Sequence, residues 1–207
     1  MESYYEKARK NNRLNMDPIN IIAGLNLIAT FGANLTGAKK GLKSTVSVTR
    51  EKPETFLQKI PLVLSILTLI LFILGLFRVG TFSYDDNYQT LRLVGLIVYL
   101  IFSWIQINAY KTLGDNYAQE VLIHKHHKLV TKGIFKTIRH PQYLSQILMD
   151  LGAGIAVLSY LVIPLALIEI PILIMRASLE DKLLGKHFKE EFRNYKSKSG
   201  FMIPFIG

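Results

Sequence analysis

Residues 60–77, IPLVLSILTLILFILGLF, run for 18 positions without a charged side chain. As a helix, a segment of that length and hydropathy crosses the roughly 30 Å hydrocarbon core of a bilayer, because its backbone polar groups bond to one another. Residues 18–37 are uncharged over 20 positions, and residues 93–110 form a third such run. Residues 144–175 extend for 32 positions with only Asp150 and Glu169 charged. That stretch is too long for one straight span, and Ser159-Tyr160, shortly before Pro164, marks a turn. The arms then fall near 143–158 and 161–175. The chain is therefore predicted to be all-α. It reads as a polytopic membrane helix bundle of about five transmembrane helices, with a C-terminal helical hairpin and a cytosolic tail helix. Residues 1–207 form a single membrane domain, with a polar loop at 111–142 and an amphipathic tail at 176–207.

The 207 residues are 50% hydrophobic yet carry a net charge of +10. The two coexist because charge and hydropathy are segregated along the chain. Lys and Arg number six in 38–59, six in 111–143 and seven in 176–207, against four in the N-terminal tail and two in 78–92. Five alternating spans put the three rich segments on one side, which the positive-inside bias makes cytoplasmic. The N-terminal tail then falls outside, against the bias. The basic residues lie in loops between apolar runs and not on one soluble face, so no nucleic-acid partner is expected. The chain has no cysteine, which excludes disulfides, thiolate metal sites and a cysteine nucleophile. Residues 1–15 read as a short surface helix or frayed tail, and the first span is expected to remain as an anchor. The expected location is an integral, multi-pass membrane protein with its site facing the cytoplasm: the inner membrane in a prokaryote, the endoplasmic reticulum in a eukaryote.

Several span residues have local readings. Ala29, Ala33 and Gly37 recur every four positions, a small-residue face for packing against a neighbouring helix or a second copy. Asn20, Asn26 and Asn34 make the same run polar for a span. Trp104 suits a bilayer-interface anchor. Gly152, Gly154 and Ala156 let the arms of the hairpin approach closely.

The most polar long segment, HKLVTKGIFKTIRHPQY at 127–143, lies between the third run and the hairpin. Pro141 suits the first turn of a helix, where its missing N–H is not needed. His140 is thus expected at a helix start and Tyr143 inside the first turn. The series HxLVTxGI(Y/F)xxIRHPxY, then a hydrophobic hairpin and R-x-x-x-E, resembles the isoprenylcysteine carboxyl methyltransferase family over residues 113–204. Members are integral-membrane enzymes that use S-adenosylmethionine. The resemblance implies cofactor contacts at His127, Lys128, Leu129, Val130, Phe135, Arg139, His140, Pro141, Tyr143 and Glu180. It also implies that Arg176 orients the substrate carboxylate. Phe135 replaces the family's tyrosine, which keeps an apolar contact and loses a hydroxyl. Ser145 holds the family's small position. The family usually has two adjacent glutamates where this chain has Glu180-Asp181.

Arg176 and Glu180 are four apart and share a helix face. A surface ion pair is the plain alternative to the functional role. His124, His126 and His127 lack a nearby acid or cysteine, so no metal site is expected. A glycine-rich dinucleotide fingerprint is absent, which argues against a soluble Rossmann methyltransferase. Asp150 and Glu169 lie inside apolar runs, where charge is expensive. Each either pairs with a polar group between helices or lines a substrate pocket. The implied function is S-adenosylmethionine-dependent carboxyl O-methylation of an isoprenylcysteine-like or other lipophilic acceptor that enters from the bilayer lipid. The rivals are a phospholipid or amine methyltransferase with Asp150 or Glu169 as base, a membrane reductase using NADPH, and a channel or structural protein. Oligomeric state is not legible.

Overall fold

The computed structural model describes residues 17–45, 49–204 and 206–207, with backbone only for 34–45 and 49. The N-terminal tail, Asn34 and Gly37 fall outside the described residues or side chains. Among the described residues six α-helices follow one another: α1 Pro18–Thr45, α2 Ile60–Leu76, α3 Gln89–Leu113, α4 Pro141–Ala156, α5 Val162–Phe188 and α6 Glu190–Lys196. The architecture is an all-α membrane bundle. Among the described residues three helical stretches, Phe56–Leu76, Asp86–Asn116 and Val162–Phe188, are long and apolar enough to cross a membrane. The apolar part of α1 is shorter, Pro18–Ala33. The 16 residues of α4 span about 24 Å at 1.5 Å per residue. Outward-facing Ile66, Ile70, Ile97, Ile101, Leu167 and Ile168 are about half exposed and form an apolar belt.

The core joins α1–α4 through Ile19, Ala23, Phe72, Leu96, Tyr99, Ala153 and Ala156. Gly152 lies against α3 and not against the second hairpin arm. A Cβ there would meet the Tyr99 amide nitrogen at 2.6 Å and the Gly95 carbonyl at 2.8 Å. Gly154 does serve the hairpin, with Val162 and Ile163 at 3.0 Å from the position of its missing Cβ. The packing face of α1 also differs from the expected one. Ile19, Ala23, Asn26 and Thr30 are buried, whereas Ala29 is exposed. The asparagines satisfy their amides between helices: Asn20 Nδ2 donates to the Leu76 carbonyl at 2.9 Å, and Asn26 Nδ2 to Ser103 Oγ at 3.0 Å. Trp104 Nε1 donates to Asn26 Oδ1 at 3.0 Å, so its indole joins α3 to α1 besides facing the belt.

One end of the bundle is clamped by Arg92, which is 3% exposed. Its guanidinium donates to both Asp17 carboxylate oxygens at 2.6 and 3.0 Å and to the Ala156 carbonyl, and lies 3.5 Å from the Tyr84 ring centroid. The opposite end gathers the basic segments. Strand β1 Thr49–Glu51 pairs antiparallel with β2 Ile123–His124, a short ladder that the sequence pattern did not announce. Lys52 pairs with Glu120 and Lys186 with Glu51 across the same surface.

The boundary expected near 175 is not a helix end. Helix α5 runs on through Arg176 to Phe188 and breaks at Lys189, where φ is +46°. After α6 the chain returns to the start of α4. There the Arg139 and His140 amides donate to the Gly200 and Phe201 carbonyls at 2.8 and 3.1 Å. The apolar terminus thus packs on Ile147, Leu173 and Ala177.

Candidate active site

Pro141 occupies the first turn of α4 and His140 precedes it. Arg139, 4% exposed, points into the protein. Its Nε donates to Asp181 Oδ2 at 3.2 Å, and its terminal nitrogens donate to the carbonyls of Lys196, Ser199 and Gly207. His140 Nε2 lies 2.8 Å from Asp181 Oδ1, and Nδ1 faces Glu180 Oε2 at 3.7 Å. The imidazole stacks on Tyr143 and meets Phe201 edge-on. Asp181 therefore fixes both Arg139 and His140, and the tail is tied to the same group.

A cavity of about 270 Å³ opens beside this group. It is bounded by α2, the end of α3, the loop that follows it, α4 and α5. Of the expected residues, His127, Lys128, Leu129, Val130, Phe135, Arg139, Tyr143, Arg176 and Glu180 line it. His140 and Pro141 lie behind its wall. Asp150 lines a second cavity, and Glu169 is fully buried between helices. The first cavity reaches Ser65 and Gln146, each five residues inside its helix, or about 7–8 Å toward the belt.

Arg176 is 6% exposed. Its Nη1 donates to the Leu57 carbonyl at 2.7 Å, Nη2 to the Gln119 carbonyl, and Nε to Tyr143 Oη at 3.1 Å. No Arg176–Glu180 ion pair forms among the described residues; Glu180 turns toward His140, and its Oε2 is buried without a hydrogen-bond partner. Three of the five guanidinium N–H groups of Arg176 are thereby used, which leaves one on each terminal nitrogen. At the loop, burial, with smaller contributions from His124 and His187, pushes His127 down to about 4, so it is neutral at physiological pH. Its Nδ1 is buried without a partner. Tyr195 Oη donates to the Phe135 carbonyl at 2.7 Å, and burial pushes Tyr195 up to about 12.

The arrangement offers apolar surface, one carboxylate oxygen and one imidazole nitrogen without partners, and a nearly buried guanidinium. Those groups fit S-adenosylmethionine: an anion for its cationic end, an acceptor for an N–H, and apolar walls for the adenine. Among the described residues no cluster of His, Cys, Asp or Glu has the form of a metal site. Sequence reasoning missed Asp181 as the anchor, and also Gln142 and Gln146 on the cavity wall. A signal existed for the last two. Gln142, Gln146 and Asp150 recur every four residues and form a polar stripe along α4.

Comparison with known proteins bears on the same region. The phospholipid methyltransferase family model matches residues 91–191. The protein-S-isoprenylcysteine O-methyltransferase of Saccharomyces cerevisiae is 28% identical over 132 residues, covering 60% of this chain and 54% of the yeast protein. That of Xenopus laevis is 29% identical over 139 residues, 63% of this chain and 47% of the frog protein. A solved eukaryotic intramembrane Ras methyltransferase, isoprenylcysteine carboxyl methyltransferase, shares the fold with a TM-score of 0.54 at 23% identity, covering 70% of this chain and 52% of that one. The chain spans about half the length of these relatives. Family match, relatives and backbone arrangement converge: in its membrane-bundle fold and in its sequence the chain is similar to the isoprenylcysteine carboxyl methyltransferases.

Proposed function

We propose that this protein methylates the carboxylate of a lipophilic, isoprenylcysteine-like acceptor, with S-adenosylmethionine as donor. The observation that carries the reading is the wall of the first cavity. It holds an unpartnered Glu180 oxygen one helical turn from a buried Arg176 that keeps two N–H groups uncommitted. The donor, when bound, supplies a methyl carbon on a sulfonium. His127, Lys128, Leu129, Val130 and Phe135 would enclose its adenosine part, and Glu180 would face its positive charge. The acceptor carboxylate is already ionised near neutral pH. A C–O bond forms as the S–C bond breaks and its electron pair goes to sulfur, so no proton has to move.

The chain's own contribution is then alignment and exclusion of water. Arg176 is pinned by Leu57, Gln119 and Tyr143, so its remaining N–H pair is held in one place for a carboxylate. The cavity runs from the basic end of the bundle toward the belt, which lets a cytosolic donor and a bilayer acceptor meet. The basic segments share that end, which supports a cytoplasmic orientation.

Transfer of labelled methyl from S-adenosylmethionine to a prenylcysteine analogue as a base-labile ester is the test. Arg176→Ala should leave donor affinity nearly unchanged and lower turnover at least tenfold. Near-normal turnover by that variant refutes the carboxylate role. NADPH should give no thermal stabilisation, and stabilisation by NADPH alone would overturn the methyltransferase reading.

A further inference from the structure

A second cavity, of about 180 Å³, lies among α1–α4. Phe31 lines it and is also 56% exposed on the apolar belt, so the cavity opens toward lipid between α1 and α2. Its interior is unlike a hydrocarbon slot. Thr68 and Tyr99, 2% and 3% exposed, line it with hydroxyls that have no hydrogen-bond partner. Tyr99 Oη lies near Asn26 but closes no hydrogen bond of good geometry with it; Asn26 already serves Ser103 and Trp104. Asp150 forms part of the wall, and Glu169 stands against it, reaching Ser65 Oγ at 3.3 Å.

This cluster is short of donors. The two carboxyl groups face each other within hydrogen-bond reach and share one proton, so one negative charge and the remaining oxygens, which only accept, are left to be served. The protein supplies Gln146 Nε2 to Asp150 Oδ2 at 2.6 Å and Ser65 Oγ to Glu169 Oε1. Gln146 is itself held by Gln106 at 2.6 Å. Outside the acid pair Glu169 Oε2 has no partner, and no Lys, Arg or His lines the cavity among the described residues. Carboxyl groups in such a place call for positive charge and for N–H donors.

We infer that this cavity is a binding site for the protonated amine of a lipophilic amine that enters from the bilayer. An ammonium brings three donors and one positive charge, and Asp150, Thr68 and Tyr99 present acceptors for them. Ser65 and Gln146 line both cavities, so the bound amine lies across that shared wall from the first cavity. The inference concerns binding and holds whichever acceptor is methylated.

Octylamine, octanol and octanoate are suitable probes, because they share one tail and differ only in the head group; each is also measured against protein-free detergent. Binding to the full chain is followed by Trp104 fluorescence or calorimetry at neutral pH without methyl donor. Octylamine should bind at least tenfold more tightly than octanol, and octanoate should not bind. The Asp150→Asn, Glu169→Gln double variant should lose the preference. Thr68→Val and Tyr99→Phe, which keep shape, should each weaken the amine several-fold with little change in melting temperature. They carry the test even where the double variant does not fold. Glu180→Gln should leave amine binding unchanged. Equal binding of octanol, wild-type binding by Thr68→Val and Tyr99→Phe, or loss of the amine with Glu180→Gln would each overturn the assignment. The first two mean that the acids are served by a shared proton or water alone, and the third that the amine occupies the first cavity.

Discussion

Replacing Asp181 by alanine removes the acid that holds both Arg139 and His140. The Arg139 side chain is 2% exposed and that of Asp181 10%, so the pair is shielded from water on both sides. Removing one partner of a buried ion pair typically costs ~3–5 kcal/mol, because the other charge stays buried. Arg139 keeps three carbonyl acceptors, which places the loss at the lower end of that range. His140 Nε2 loses its 2.8 Å partner, a further ~1 kcal/mol. The sum is roughly 4 kcal/mol, or a drop in melting temperature of about 8–16 °C for a chain of this size. Asp181→Asn keeps the shape and one acceptor oxygen, and should show about half that drop. The assay is thermal unfolding of detergent-purified protein followed by Trp104 fluorescence. The Arg139→Met, Asp181→Leu double variant should lie above Asp181→Ala, since it leaves no uncompensated charge. An Asp181→Ala protein that melts within about 3 °C of wild type, against that scale, refutes the account of a buried anchor.

Three further outcomes follow from the same geometry. At the clamped end, burial raises the Asp17 pKa, but hydrogen bonds and charge from Arg92 outweigh it and hold the carboxyl below its ordinary value. The stability it contributes is therefore present above the unfolded pKa and lost as pH falls through the folded one; Asp17→Ala should lower the melting temperature at pH 7 and flatten the acid limb. His127 stays neutral down to about pH 4, whereas in the unfolded chain it takes up a proton near 6.5. Its contribution is complete above 6.5 and lost between there and 4, so a His127→Gln melting curve should depend less on pH across that window. Reporters placed after Gly207 and within 114–122 should mark one side of the membrane and a reporter within 78–85 the other; opposite sides for the first two would overturn the shared basic end.

What the sequence determined by itself is local. Uncharged runs long enough to cross a bilayer dictate helices, since no other open structure satisfies its backbone there. Pro141 dictates a helix start, and the resemblance carried by the series 127–143 with Arg176 and Glu180 marked nine of the residues that line the first cavity. The partners of those residues were not legible. Arg176 looked free to meet a substrate or Glu180, yet two of its five donors go to main-chain carbonyls 119 and 57 positions away. Asp181 looked like a shortened glutamate, and its two partners lie 41 and 42 positions away. Gly152 read as a hairpin contact and packs on α3 instead. Asp150 and Glu169 each stood alone in an apolar run and meet only because α4 and α5 fold back on one another. Helix formation answers to neighbours three and four residues away, which a sequence displays. Choosing which carbonyl a guanidinium reaches, or which glycine lets two backbones touch, depends on how the helices cross. Only the tertiary structure decides that.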